Sequence, residues 1–133
     1  MRMMVDTNIL VSAFVFQSKK IYAVIDYIVL NHELVISTYV INELCDVVER
    51  KFPQMAAELD EFLTTLSFTP AYTPKHSRPG LFEIRDECDY PVLYTAIIES
   101  IDVFITGDKD FDDVEIEKPA IMNVAKFTDE YMS

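Results

Sequence analysis

Short apolar runs alternate along this sequence with longer amphipathic segments, and this alternation restricts the folds open to the chain. The runs have the length of buried strands, and they lie at residues 2–5, 34–37, 68–72, 103–106 and 120–122. The longer segments carry apolar residues at helical spacing, at residues 9–14, 21–30, 41–52, 55–66 and 89–100. Alternating strands and helices predict a three-layer α/β/α fold. Its middle layer is a mostly parallel sheet of four to five strands.

Polar residues indicate where the predicted helices begin. Asp6 directly follows the first strand and is a good N-cap for the first helix, and Thr38 holds the same position after the second strand. Asp89 could cap the helix that leads into the fourth strand, with Pro91 just inside it.

A polar stretch containing Pro74, Pro79 and Gly80 interrupts the middle of the chain. Neither side of it has enough elements to cover a sheet on both faces, so we interpret it as a long loop within one domain, residues 1–133.

Composition excludes several classes of protein. Half of the residues are hydrophobic, which disfavours disorder, and Asp26 interrupts the best candidate for a membrane span. No signal-peptide pattern is seen, so we expect a cytoplasmic protein with no membrane partner, and we expect Cys45 and Cys88 to be reduced thiols. The net charge of −12 argues against coating nucleic acid by bulk electrostatics, so any such substrate must be bound locally.

Four acids are placed where the predicted strands end or the following helices begin. Asp6 follows the first strand, Asp108 follows the fourth, Glu43 lies near the start of the helix after the second, and Asp89 begins the helix before the fourth. Sites in parallel sheets form at the carboxyl ends of the strands. We therefore expect these four carboxylates to converge there, where a cation would relieve their mutual repulsion.

Each of these acids also has an ordinary interpretation. Asp6 and Asp89 could be helix caps, Asp108 a turn residue beside Gly107, and Glu43 an exposed acid near a helix start. Capping and metal binding are compatible roles, and the convergence of four acids is what favours a metal site. His32 and His76 lack partners at ligand spacing, so zinc is disfavoured.

Four ordered blocks of sequence resemble one known family. They are VDTNILVSA at residues 5–13, STYVINEL at 37–44, RDECD with VLYTA at 85–96, and IDVFITGDKDF at 101–111. Together they resemble PIN domains, in particular the small prokaryotic ones related to VapC toxins of toxin-antitoxin pairs.

The resemblance implies a PIN-like nuclease fold and a set of site residues. The implied catalytic and metal-binding quartet is Asp6, Glu43, Asp89 and Asp108. The possible accessory residues are Asn8, Asp86, Asp110 and Asp112. The segment 86–91 departs from the usual Pro- and Asp-rich run, which leaves Asp86 and Asp89 as alternatives for the third ligand. Asp89 is favoured by its distance from the apolar residues that follow it.

An all-carboxylate site suits Mg²⁺ or Mn²⁺. The expected activity is hydrolysis of RNA phosphodiester bonds by water that the cation activates. The resemblance further implies products with 3′-hydroxyl and 5′-phosphate ends, a role as the toxin of a toxin-antitoxin pair, an antitoxin partner and a homodimer. The cations ranked first for RNA binding are Lys19, Lys20, Lys75 and Arg78, because they lie in predicted loops, where binding residues often sit. Arg85 and Lys109 are ranked after them.

Two alternatives stay open at this point. The first is a catalytically inactive PIN-like interaction domain that binds a protein partner. The second is a phosphotransfer domain or phosphatase with a strand-end Asp, which Asn8 disfavours because one such family needs a second carboxylate there.

Overall fold

The computed structural model describes residues 1–132. Its strands are β1 (Arg2–Val5), β2 (Glu33–Ser37), β3 (Thr69–Ala71), β4 (Val103–Ile105) and β5 (Ala120–Met122). Its α-helices are α1 (Thr7–Phe14), α2 (Lys19–Asn31), α3 (Thr38–Lys51), α4 (Ala56–Thr65), α5 (Tyr90–Ile98) and α6 (Val124–Phe127). Short 3₁₀ turns occupy Pro53–Met55, Glu87–Asp89 and Lys109–Phe111, and a π turn occupies Thr128–Met132. The predicted elements are confirmed, with ends that differ by up to three residues.

The five strands form one sheet in the order β3-β2-β1-β4-β5, and every pairing is parallel. The chain first moves outward from β1 to β2 and β3, and then returns to β4 on the other side of β1. Strand order therefore reverses between β1 and β4, which is the point where parallel sheets place ligand sites.

Burial of the central strands shows that helices cover the sheet on both faces. Met3, Met4 and Val5 of β1 are fully buried, and all three residues of β4 are buried. Residues on both faces of a strand are inaccessible only when both faces of the sheet are packed. The predicted three-layer α/β/α fold is confirmed.

Capping side chains show where local prediction succeeded and where it was wrong. Asp6 caps α1 as predicted, since its carboxylate accepts the Ile9 N–H. The cap of α3 is Ser37, one residue before the predicted Thr38. Asp89 forms no side-chain cap, and Asp86 instead accepts the Cys88 N–H. Ser37 and Asp86 can cap because each has an extended backbone just before the first helical residue, whereas the Asp89 backbone is already helical.

Residues 72–86 form the predicted long loop, which is anchored near both ends. The Thr73 N–H donates to the Thr38 hydroxyl, and the Tyr90 hydroxyl donates to the Arg78 carbonyl oxygen. The Tyr90 ring also stacks on Phe82 at a centroid distance of 4.2 Å. These contacts hold the loop beside the start of α5.

Within residues 1–132, every helix is too short or too polar to cross a bilayer.

Candidate active site

The register of β1 against β4 places Asp6 beside Thr106 at the carboxyl end of the sheet. Val5 pairs with Ile105, and the Asp6 N–H donates to the Ile105 carbonyl oxygen at 3.3 Å. The Asp6 side chain is 7% exposed. Its Oδ1 accepts the Ile9 N–H at 3.1 Å, and its Oδ2 accepts the Thr106 hydroxyl. Both carboxylate oxygens are thereby fixed in orientation.

Thr106 also connects Asp6 to Asp108. Its hydroxyl oxygen accepts the Asp108 N–H at 3.0 Å while its hydroxyl hydrogen goes to Asp6. Asp108 then caps the turn Lys109–Phe111, because its Oδ1 accepts the Asp110 N–H at 2.9 Å. The predicted turn role of Asp108 and its position beside Asp6 are therefore both observed.

Glu43 approaches this edge from α3. It lies one helical turn beyond Tyr39, and its Oε1 accepts the Thr7 hydroxyl at 2.7 Å. Thr7 follows Asp6 directly in the chain, so this hydrogen bond joins the second acid to the segment that carries the first.

Asp89 approaches from the turn before α5, and its carboxylate is the least satisfied of the four. Its Oδ2 is buried and has no hydrogen-bond partner among residues 1–132. A buried, unpaired carboxylate oxygen is unfavourable unless something outside the chain binds it. The neighbouring Cys88 carbonyl oxygen accepts the Tyr39 hydroxyl at 3.0 Å, which ties this turn to the helix that carries Glu43.

The electrostatics of the site reflect mutual repulsion among the four acids. Burial raises the pKa of Asp6 to about 6, opposed by hydrogen bonds from Thr106 and Ile9 and assisted by the charges of Asp108 and Glu43. Burial also raises the pKa of Asp89 to about 7, assisted by the charges of Asp108, Asp86, Asp110 and Glu43. Repulsion of this kind is what a bound cation would remove.

The quartet has no cation of its own among the described residues: none of the four acids forms an ion pair with any part of 1–132. A second grouping overlaps it, because one carboxylate oxygen each from Asp86, Asp89 and Asp110 lies within 4.8 Å of the others. Arg85 partly neutralises this grouping, because its guanidinium lies 3.7 Å from the Asp110 carboxylate. An all-oxygen donor set with no paired cation of its own fits a hard divalent cation.

The other predicted acidic and polar residues differ in position. Asp110 and Asp86 border the quartet through Asp89. Asn8 is exposed on α1, and Asp112 is exposed at the end of the turn after Asp108. Neither Asn8 nor Asp112 forms a side-chain hydrogen bond or ion pair with the described residues.

The predicted RNA-binding cations are also spread over different places. Lys19 and Lys20 lie in the first turn of α2 rather than in a loop, which corrects the prediction, because Ser18 caps a helix that begins there. Lys19 borders a cleft between α2 and α4 that none of the four acids lines. Lys75 lies in the predicted loop and lines a cavity of about 250 Å³ with Tyr39 and Asn42. Arg78 is exposed in the same loop.

Sequence reasoning missed the hydroxyl groups that orient the acids. Thr7 and Thr106 are adjacent in the chain to Asp6 and to the Gly107-Asp108 pair, and Tyr39 precedes Glu43 by one helical turn. The sequence did contain a signal for these residues, because hydroxyl side chains close in sequence to predicted ligands commonly orient the groups that bind a metal.

Comparison with known proteins agrees with this geometry. A PIN domain family model matches residues 2–110, which is well over half of the chain and includes all four acids. A chain in the crystal structure of VapBC2 from Rickettsia felis bound to a DNA fragment from their promoter has a similar fold. The two chains superpose with a TM-score of 0.70 and share 23% sequence identity, and the match covers 92% of this chain and 98% of the other. No protein in the curated set matches significantly. The extent of the PIN domain match shows that this chain belongs to the PIN-domain family.

Proposed function

We propose that this protein is a divalent-metal-dependent ribonuclease that hydrolyses RNA phosphodiester bonds at the acidic quartet. The observation that carries the proposal is the buried Asp89 Oδ2, which lacks a partner among residues 1–132 and lies near Asp108 and Glu43. Membership of a family whose members are typically nucleases supports the same conclusion.

Asp6, Glu43, Asp89 and Asp108 would hold the cation, with Mg²⁺ or Mn²⁺ as the ions that suit carboxylate donors. A bound ion would supply charge neutralisation at the scissile phosphate and would activate water for attack. We assign Asp86 to an accessory position because Asp89, and not Asp86, has the buried oxygen without a partner among residues 1–132. We assign Asp110 to an accessory position because it is paired with Arg85.

The chain's own residues prepare the site by orientation. Thr106 directs Asp6 and holds the Asp108 backbone, and Thr7 directs Glu43. These hydrogen bonds fix the carboxylates before substrate arrives, so less reorganisation is needed when charge develops during the reaction. The Asp89 Oδ2 lacks such a hydrogen bond, and the cation would be its partner.

We propose RNA as the substrate and an antitoxin as the protein partner. The similarity in fold to a chain from a toxin-antitoxin structure supports the partner. An apolar cleft of about 560 Å³ between α2 and α4, lined by Phe14, Tyr22 and Phe62, offers a surface for a protein contact. We also propose a homodimer in the cytoplasm, with the oligomeric state to be measured by light scattering on the purified chain.

The test of activity is cleavage of a labelled single-stranded RNA by the purified protein in Mn²⁺, in Mg²⁺ and in EDTA. We expect cleavage in both ions, none in EDTA, and products with 5′-phosphate ends. Asp6→Asn should abolish cleavage while leaving the circular dichroism spectrum unchanged. The matched control is Asp46→Asn, which removes the same charge from an exposed position on α3.

Cleavage by Asp6→Asn at the wild-type rate would refute the proposed site. A folded wild-type protein that gives no heat on titration with Mn²⁺ and cleaves no RNA would favour the inactive interaction domain instead.

A further inference from the structure

A polar cavity of about 530 Å³ lies beside the quartet, on the side of the sheet where β5 ends. We call it the β5-side cavity, and the charged and amide side chains that line it are those of Asp108, Lys109, Asp112, Asn123 and Lys126. Its volume is in the range of cavities that bind small ligands. Of its lining residues, only Thr106 and Asp108 have a role in the proposed function.

The position of the cavity follows from the parallel sheet. β5 pairs with β4 in parallel, so the carboxyl ends of both strands reach the same edge. The Thr106 N–H donates to the Met122 carbonyl oxygen, which places Asn123 next to the segment that carries Asp108. A cleaved phosphate held at Asp108 would therefore border this cavity.

The charges of the cavity differ from those of the chain as a whole, whose net charge is −12. Lys109 forms no ion pair with any described residue, and Lys126 has one contact, 4.0 Å from Glu130 on the helix surface. The acids that line the cavity are Asp112, which is exposed, and Asp108, whose Oδ1 already accepts the Asp110 N–H. Two ammonium groups are thus available beside the site in a strongly acidic protein.

Asn123 adds neutral donors to the same cavity. Its Oδ1 accepts the Lys126 N–H at 2.8 Å as the cap of α6, so the amide oxygen is already used. The Nδ2 group has no hydrogen-bond partner within residues 1–132. An amide with its oxygen engaged keeps two N–H donors for an anionic acceptor.

We infer that the β5-side cavity binds the phosphodiester backbone of the RNA strand next to the cleaved bond, through Lys109, Lys126 and the Asn123 amide. The inference rests on the proposed function for the position of the cleaved bond. Backbone contacts of this kind fix the register of the strand without reading its sequence.

The test separates binding from cleavage. Affinity for a fluorescein-labelled single-stranded RNA of ten nucleotides is measured by anisotropy in EDTA, at several salt concentrations. The double variant Lys109→Gln/Lys126→Gln should bind about tenfold more weakly at low salt. The slope of log affinity against log salt should fall by about 1.4, since each lysine contact to a single strand contributes about 0.7.

The matched control is Arg50→Gln/Lys51→Gln, which makes the same change in net charge at the exposed end of α3 and should bind RNA within about twofold of wild type by the same reasoning. Lys109→Arg/Lys126→Arg should keep the wild-type affinity, which guards against a loss caused by misfolding.

The inference is overturned if the cavity variant binds like wild type, if both Gln variants weaken binding equally, or if wild type does not bind the RNA even at low salt. Cleavage in Mn²⁺ is measured separately. A wild-type protein that binds through the cavity and never cleaves would refute the proposed ribonuclease and leave the binding result intact.

Discussion

The two ends of strands β1 and β4 carry acids in opposite electrostatic settings. At the amino end, Asp102 is satisfied by the chain: its Oδ2 accepts the Arg2 N–H at 2.8 Å, and its Oδ1 lies 3.0 Å from the Lys118 ammonium. The Arg2 N–H and Lys118 lower the pKa of Asp102. Arg2 also forms ion pairs with Glu33 and Glu99, so acid and base are balanced here.

At the carboxyl end, the balance is missing. Burial raises the pKa of Asp6 to about 6 and that of Asp89 to about 7, and no described lysine or arginine pairs with either. The same residue type is therefore stabilised as an anion at one end of the sheet and destabilised as an anion at the other. The difference supports the proposal that a cation from outside the chain completes the carboxyl end, whereas ion pairs within the chain complete the amino end.

The largest expected effect is a loss of RNA cleavage when an acid is replaced at the carboxyl end of the sheet but not when one is replaced at the amino end. Asp108→Asn should lower kcat/KM for RNA cleavage by about a thousandfold, or ~4 kcal/mol, because it removes a carboxylate from the proposed cation site. Asp102→Asn should leave cleavage unchanged and lower the free energy of unfolding by about 1 kcal/mol, because it weakens a partly exposed ion pair. Cleavage kinetics and urea unfolding of both variants measure this contrast, which fails if the two substitutions reduce cleavage alike.

The second effect concerns the cation itself. Mn²⁺ at a hundred times its dissociation constant should raise the free energy of unfolding by about 2.7 kcal/mol, and EDTA should reverse the gain. Asp89→Asn should lose most of the gain, because the unpaired Oδ2 would no longer carry charge. Thermal unfolding with and without Mn²⁺ gives the measurement, and Asp46→Asn is the control. An equal gain in Asp89→Asn would remove Asp89 from the proposed ligands.

The third effect is a pH dependence whose sign differs between the ends. Asp6 and Asp89 have pKa values of about 6 and 7 when folded, against 3.8 for the unfolded group. The folded state then binds protons more tightly, so the metal-free protein loses stability as pH rises from about 4 to about 7. We expect a loss on the order of 2 kcal/mol, mostly from Asp6, since Asp89 is partly solvated.

Asp102 acts in the other direction. Its lowered pKa contributes stability above the unfolded value, and this contribution is lost as pH falls below it. Urea unfolding in EDTA between pH 3 and pH 8 measures both ends. Asp89→Asn should flatten the loss near neutral pH, and Asp102→Asn should reduce the loss in acid. A wild-type profile that rises steadily to pH 8 would contradict the assignment.

The smallest effect concerns the contact between α3 and the turn before Asp89. Tyr39→Phe removes the hydroxyl that donates to the Cys88 carbonyl oxygen. The loss of one hydrogen bond is worth about 1 kcal/mol, so Mn²⁺ should bind roughly fivefold more weakly. Tyr72→Phe, at a ring that is 64% exposed, is the control. Calorimetric titration with Mn²⁺ measures the affinity of both variants and of wild type. Equal affinities in wild type and Tyr39→Phe would show that the contact does not position Asp89.

Local patterns in the sequence were sufficient for the elements and for the acids at strand ends. The periodicities of 2–5, 103–106 and the intervening helices predicted the α/β fold, and the structure confirms it with five parallel strands. The reason is that strand and helix burial follow from the spacing of apolar residues along the chain, which is a local property. The position of Asp6 after β1 and of Asp108 after β4 could be predicted for the same reason.

Only the tertiary structure decided which side chains meet and what each one bonds to. Thr106 and Asp6 are a hundred residues apart, and their hydrogen bond depends on β1 and β4 being neighbours. The division between Asp86 as a cap and Asp89 as an unpaired acid depends on backbone angles that adjacent acids in one segment do not reveal. Lys126 comes beside Asp108 only because β5 adds to the sheet edge in parallel, and long-range pairing of this kind leaves no local pattern in the sequence.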